Sequence, residues 1–153
     1  MKPTPPGWPR LSQSVYYRDP AKGIDWLCHA FGFEVRLKVE HDGAGIVHSE
    51  LTFGEGLVMV GGTGRTDAGK AAWQALQKSP LDLEGANTQS ICIFVDDVDA
   101  HCERARAAGA TILREPETTD YGDDYWTDRS YGCLDPEGHL WWFMQRLRNG
   151  PPR

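Results

Sequence analysis

Residues 15–35 read VYYRDPAKGIDWLCHAFGFEV, and residues 91–112 read ICIFVDDVDAHCERARAAGATI. Both stretches follow one plan. Each opens on a short apolar strand and reaches an aspartate, Asp19 or Asp97, suited to cap a helix through its side-chain oxygen. Pro20 fits the first helical position, where no backbone N–H is needed. Apolar residues at 24, 27, 28 and 31 recur at helical spacing, and Gly32 and Gly109 supply the stops.

Working outward, the first strand extends over LSQSVYYR, and FEVRLKVE, IVHSELTF and GLVMVGG follow the first helix as strands separated by glycine-bearing turns. In the second half the strand QSICIFV and its helix are followed by ATILREP, RSYGCLD and HLWWFMQ. The last two flank a tight turn, DPEG, with Asp135 leading, Pro136 second and Gly138 closing it. The order strand–helix–strand–strand–strand thus occurs twice, at a period longer than that of common solenoid repeats. We expect a single domain over residues 11–147, with module one at 11–62, a connection at 63–88 and module two at 89–147. A short helix is expected near AAWQALQK in the connection. Residues 1–10 and 148–153 form proline-rich tails.

The 153-residue chain is 40% hydrophobic and 25% charged, an ordinary balance for a globular protein with one core. No apolar run reaches the length of a membrane span, and the start lacks a hydrophobic signal segment, so no membrane association and a cytoplasmic location are expected. The net charge of −6, without a basic cluster, excludes the phosphate-neutralising surface that nucleic-acid binding needs. Cys28, Cys92, Cys102 and Cys133 show no zinc spacing and read as structural thiols.

Four segments in this order, VYYRDPAKGIDWLCHAFGFEV, HSELTFGEGLVMV, ICIFVDDVDAHCERARAAGATI and YWTDRSYGCLDPEGHLWWF, resemble the vicinal-oxygen-chelate superfamily of glyoxalases, bleomycin-resistance proteins and extradiol dioxygenases. The last segment is most similar to its glyoxalase-like or PhnB-like branch. The resemblance implies an α+β fold in which two βαβββ modules form a cupped mixed sheet with helices on the outer face. It also implies where metal-using members place their ligands: a His or Gln seven residues before each helix-opening aspartate, and a Glu on each module's last strand. Those first places are Ser12 and Ser90, and the last-strand place in module two is Trp142. LVMVGG offers no carboxylate in any register. Hydroxyls are poor donors to divalent ions and an indole offers no lone pair, so neither metal nor cofactor is expected.

On strand alternation, Ser12, Ser14 and Tyr16 share a face, as do Ser90, Cys92 and Phe94, and as do Leu140, Trp142 and Met144. Trp141 and Phe143 then face the helices, and a one-residue slip would exchange the two tryptophans. The resulting cup lining is mostly apolar with a few hydroxyls, the usual make-up of a small-molecule pocket. The alternative is a Trp142 that fills the cup. TTDYGDDYWTDRS sets aspartates around Tyr121, Tyr125 and Trp126, and Trp126 with Asp128 suits a flat cationic guest; the other reading is a solvated loop. His48 and Glu50 share a strand face as an acid–base or displaced-metal pair, or form part of an exposed polar face. These residues predict a metal-independent small-molecule-binding protein that holds an aromatic or cationic ligand in an apolar cup, and the resemblance implies a homodimer. The competing readings are a metal-dependent lyase, isomerase or dioxygenase using a displaced site at His48/Glu50, and a regulatory module with a filled cup.

Overall fold

A computed structural model describes residues 1–41, 43, 45–63 and 72–152, divided into two compact units, Met1–Ala86 and Asn87–Arg153. In the first unit the order is β1 (Gln13–Tyr17), α1 (Pro20–Phe31), β2 (Glu34–His41), β3 (Gly45–Phe53) and β4 (Gly56–Gly62). The second repeats it with β5 (Ile91–Phe94), α2 (Val98–Ala107), β6 (Thr111–Asp120), β7 (Thr127–Leu134) and β8 (Leu140–Arg148). Each unit holds a four-stranded mixed sheet, β1-β4-β3-β2 or β5-β8-β7-β6. The first strand runs parallel to the last and the remaining pairs are antiparallel. This is the α+β, twice-βαβββ arrangement that the repeat predicts. Of the connection, residues 64–71 lie outside the described residues; Ala72–Leu76 and Pro80–Leu83 form short 3₁₀ turns.

The helix signals act as expected. Asp19 accepts from the Lys22 N–H and Asp97 from the Ala100 N–H, each satisfying a donor that the first turn leaves unpaired. Gly32 ends α1 at φ 87°, a left-handed conformation that favours glycine. The buried face of α1, Ile24, Leu27, Ala30 and Phe31, belongs to a core shared with Val15 and Tyr17 of β1, Leu51 of β3, and Val58 and Val60 of β4. In unit two, Val98, Cys102 and Ala105 of α2 are buried along with Tyr131, Cys133, Trp141 and Phe143. Burial of each large apolar side chain is worth about 1.5–3 kcal/mol, and this, more than helix propensity, holds each helix against its sheet.

Two boundaries differ from expectation. β6 runs past Pro116 to Asp120, and β7 begins at Thr127, so much of the stretch 118–130 is a β-hairpin rather than a loop. Pro116 is tolerated because β6 is an edge strand with an irregular register between Arg114 and Glu117. Among the described residues, no helix is long and apolar enough to cross a membrane.

Candidate functional site

The two tryptophans separate as alternation requires. Trp141 is fully buried, and its indole Nε1–H donates to Asp135 Oδ2 at 3.1 Å. Asp135 also accepts the Glu137 and His139 backbone N–H groups and faces His139 Nδ1, so one buried carboxylate binds the turn to the core. Trp142, on the opposite face, is half-buried and pairs with Cys92 on one side and Gly132 on the other. A Cβ on Gly132 would lie 2.8 Å from the Trp142 ring, so the glycine makes room for the indole.

Cys92, Phe94, Leu140 and Trp142 lie on strands β5 and β8 of unit two, where Cys92 and Phe94 are exposed. Ser12 and Ser90 are exposed residues just ahead of β1 and β5. Trp126 and Asp128 join Phe94 through a residue the sequence reading did not single out. Arg146 is ion-paired with the buried Asp128, and its guanidinium lies 5.1 Å from the Trp126 ring and 5.3 Å from that of Phe94. The aromatic-plus-carboxylate setting suited to a cationic guest already holds the protein's own cation. Asp120 is paired in the same way, with Arg148 at 2.7 Å; the Gly122 backbone N–H first, and Arg148 after it, hold its carboxyl below the usual range.

A cavity of about 230 Å³ opens in unit one. Its lining includes Ser14 and Tyr16 of β1, Ile46 and His48 of β3, Met59 of β4, and Trp73 and Gln77 of the connection. The cause is local. The β3–β4 ladder runs from Phe53↔Gly56 to Leu51↔Val58, and beyond it a side chain replaces the backbone partner. Buried Ser49 donates its hydroxyl to Val60 O at 2.7 Å and accepts the Val60 N–H at 3.1 Å. The backbone ladder stops there while Val60 keeps both backbone hydrogen bonds, and residues of both strands beyond the ladder line the cavity. Gln77 spans it to donate to the Tyr16 hydroxyl at 2.8 Å. The corresponding ladder of unit two, β7 with β8, runs from Thr127 to Leu134 without such a gap.

His48 and Glu50 come together as the alternation predicts, with Nε2 to Oε1 at 2.9 Å. Glu50 is buried whereas the His48 side chain is 42% exposed, and the other Glu50 oxygen lies 3.2 Å from Arg36 Nε. Arg36 is also held by the Gly7 carbonyl and stacks 5.0 Å from the Trp8 ring. Arg36, Met59, Trp73, Gln77 and Arg146 all escaped the sequence reading. Only Ser49 left a signal, a hydroxyl at a core-facing position of an otherwise apolar alternation.

The family model described as the Glyoxalase/Bleomycin resistance protein/Dioxygenase superfamily matches residues 11–143. The chain belongs to this superfamily. TioX from Micromonospora sp. ML1 is 32% identical, with a TM-score of 0.64, over 89% of this chain and 98% of TioX. An uncharacterised Mycobacterium bovis protein, Mb0911c, is 30% identical over 140 residues, 92% of this chain and 85% of its own length. A glyoxalase/bleomycin resistance protein/dioxygenase family enzyme from Burkholderia phytofirmans PsJN, 20% identical with a TM-score of 0.60 over 89% of this chain and 98% of its own, shares the fold.

The metal that some superfamily members use finds no matching donor set here. The last strands set Met59 across from Ser14 and Trp142 across from Cys92, and Ser12 and Ser90 precede their strands. A thioether, an indole and two hydroxyls do not fit a catalytic divalent ion. Among the described residues, no group of three or more His, Cys, Asp or Glu converges as a metal set. A cation at His48/Glu50 would also have to displace the Arg36 guanidinium.

Proposed function

We propose that this superfamily member binds a small, largely apolar aromatic molecule without a metal, in the cavity of its first unit. The break in the β3–β4 ladder at Ser49 carries the reading, because residues beyond it line a cleft with ring, thioether and hydroxyl groups. Such a mix suits a compact ligand that is mostly desolvated and held in orientation by a few polar contacts. Arg146 in the Trp126/Asp128 setting and Arg36 beside Glu50 make an aromatic guest a better match than a cationic one. A homodimer in the cytoplasm remains part of the proposal, and light scattering after size exclusion tests the dimer.

The test of binding is a thermal-shift screen of planar aromatics in the presence of EDTA. Stabilisation by some members of the panel is expected, with the response lost in Met59→Trp, whose indole occupies the cavity. Silence across the panel, or an equal response in Met59→Trp, contradicts the proposal.

A further inference from the structure

We infer that His48 is the polar anchor of this cavity and selects a neutral planar bicycle bearing an N–H or O–H donor. The inference rests on the proposed ligand cavity and follows from the way three side chains fix one ring. Glu50 is buried and lies against the Arg36 guanidinium at 3.2 Å, so it is an ionised carboxylate and accepts hydrogen bonds only. Its other oxygen lies 2.9 Å from His48 Nε2, which must therefore carry the proton. In the neutral imidazole the lone pair then resides on Nδ1. Among the described residues Nδ1 has no hydrogen-bond partner, and the ring lines the cavity.

The His48 side chain is 42% exposed, so Nδ1 is open to water when no ligand is bound; a ligand that covers it without offering a donor leaves it unsatisfied, whereas a donor restores the bond. The anchor thereby discriminates between guests of identical shape. Size sets the rest of the class. A cavity of about 150 Å³ holds a benzene ring, so one of about 230 Å³ has room for a fused bicycle among Tyr16, Ile46, Met59 and Trp73.

Indole and benzofuran form the test pair, since they share shape and neutrality and differ in a ring N–H against a ring oxygen. Isothermal titration at pH 8 should give at least about fivefold tighter binding of indole to the wild type, corresponding to roughly one net hydrogen bond. His48→Phe, which keeps a ring but removes the acceptor, should bind both probes equally. Long-range ¹H–¹⁵N spectra of the wild-type imidazole should show the proton on Nε2, and this readout does not depend on any variant folding. Equal affinity of the two probes for the wild type, or a proton on Nδ1, overturns the anchor while leaving the cavity as a binding site. Binding of neither probe overturns the cavity reading and the anchor with it.

Discussion

Trp141 and Trp142 are neighbours in sequence with different energetic roles. Trp141 buries its whole side chain and completes the hydrogen bonding of Asp135, so Trp141→Phe both leaves a void and removes a donor from a buried carboxylate. A loss of about 2–4 kcal/mol is expected in urea unfolding. Trp142→Phe, at a half-buried place across Gly132, should cost less than about 1.5 kcal/mol. A larger loss for Trp142→Phe would reverse the assigned register. That register was legible because period-two alternation in HLWWFMQ admits only two answers, and the buried helix faces choose between them. Arg146 was not legible: a charged residue near a strand end usually reads as solvated, and its place between Phe94 and Trp126 arises only when β5, β7 and β8 come together.

At the scale of elements, the break in the β3–β4 ladder depends on a hydroxyl that replaces a strand partner. Ser49→Ala strips Val60 of its partner at both N–H and C=O, so a loss of about 2–4 kcal/mol in chemical denaturation is expected. An unchanged midpoint would show that the strands re-pair and close the gap. Between α2 and β7 the sensitive groups are thiols and a phenol. Burial pushes the Cys133 thiol up to about 12 and raises Tyr131 and Cys102 as well. For Cys133 the folded form holds its proton above the ordinary value of 9.0, so its contribution is complete below about pH 9 and falls as pH rises toward 12. Urea midpoints should therefore decrease between pH 8.5 and 10.5, and Cys133→Ala should flatten that slope; a pH-independent midpoint would contradict the assignment. Strand and helix identities were readable from periodicity and caps. The extension of β6 through Pro116 was not, because edge position, which excuses the proline, is a property of the assembled sheet.

At the scale of the molecule, the duplicated βαβββ plan was written twice in the chain, and four ordered segments sufficed to indicate the superfamily. The candidate site was only partly legible. Ser14, Tyr16 and His48 line the unit-one cavity, whereas Phe94, Trp126 and Asp128 meet around Arg146 in the second unit. Alternation shows which face a residue takes, but a ladder gap or the approach of the Trp73–Gln77 segment depends on contacts between distant residues. The proposed function requires that a planar aromatic enter the unit-one cavity without a metal. Its most direct test is chemical-shift mapping of ¹⁵N- and methyl-labelled protein titrated with indole in EDTA. Shifts centred on Ser14, Tyr16, His48, Met59 and Gln77, unchanged by added divalent ions, are expected. Shifts centred elsewhere, or shifts that arise only when a divalent ion is restored, would contradict it.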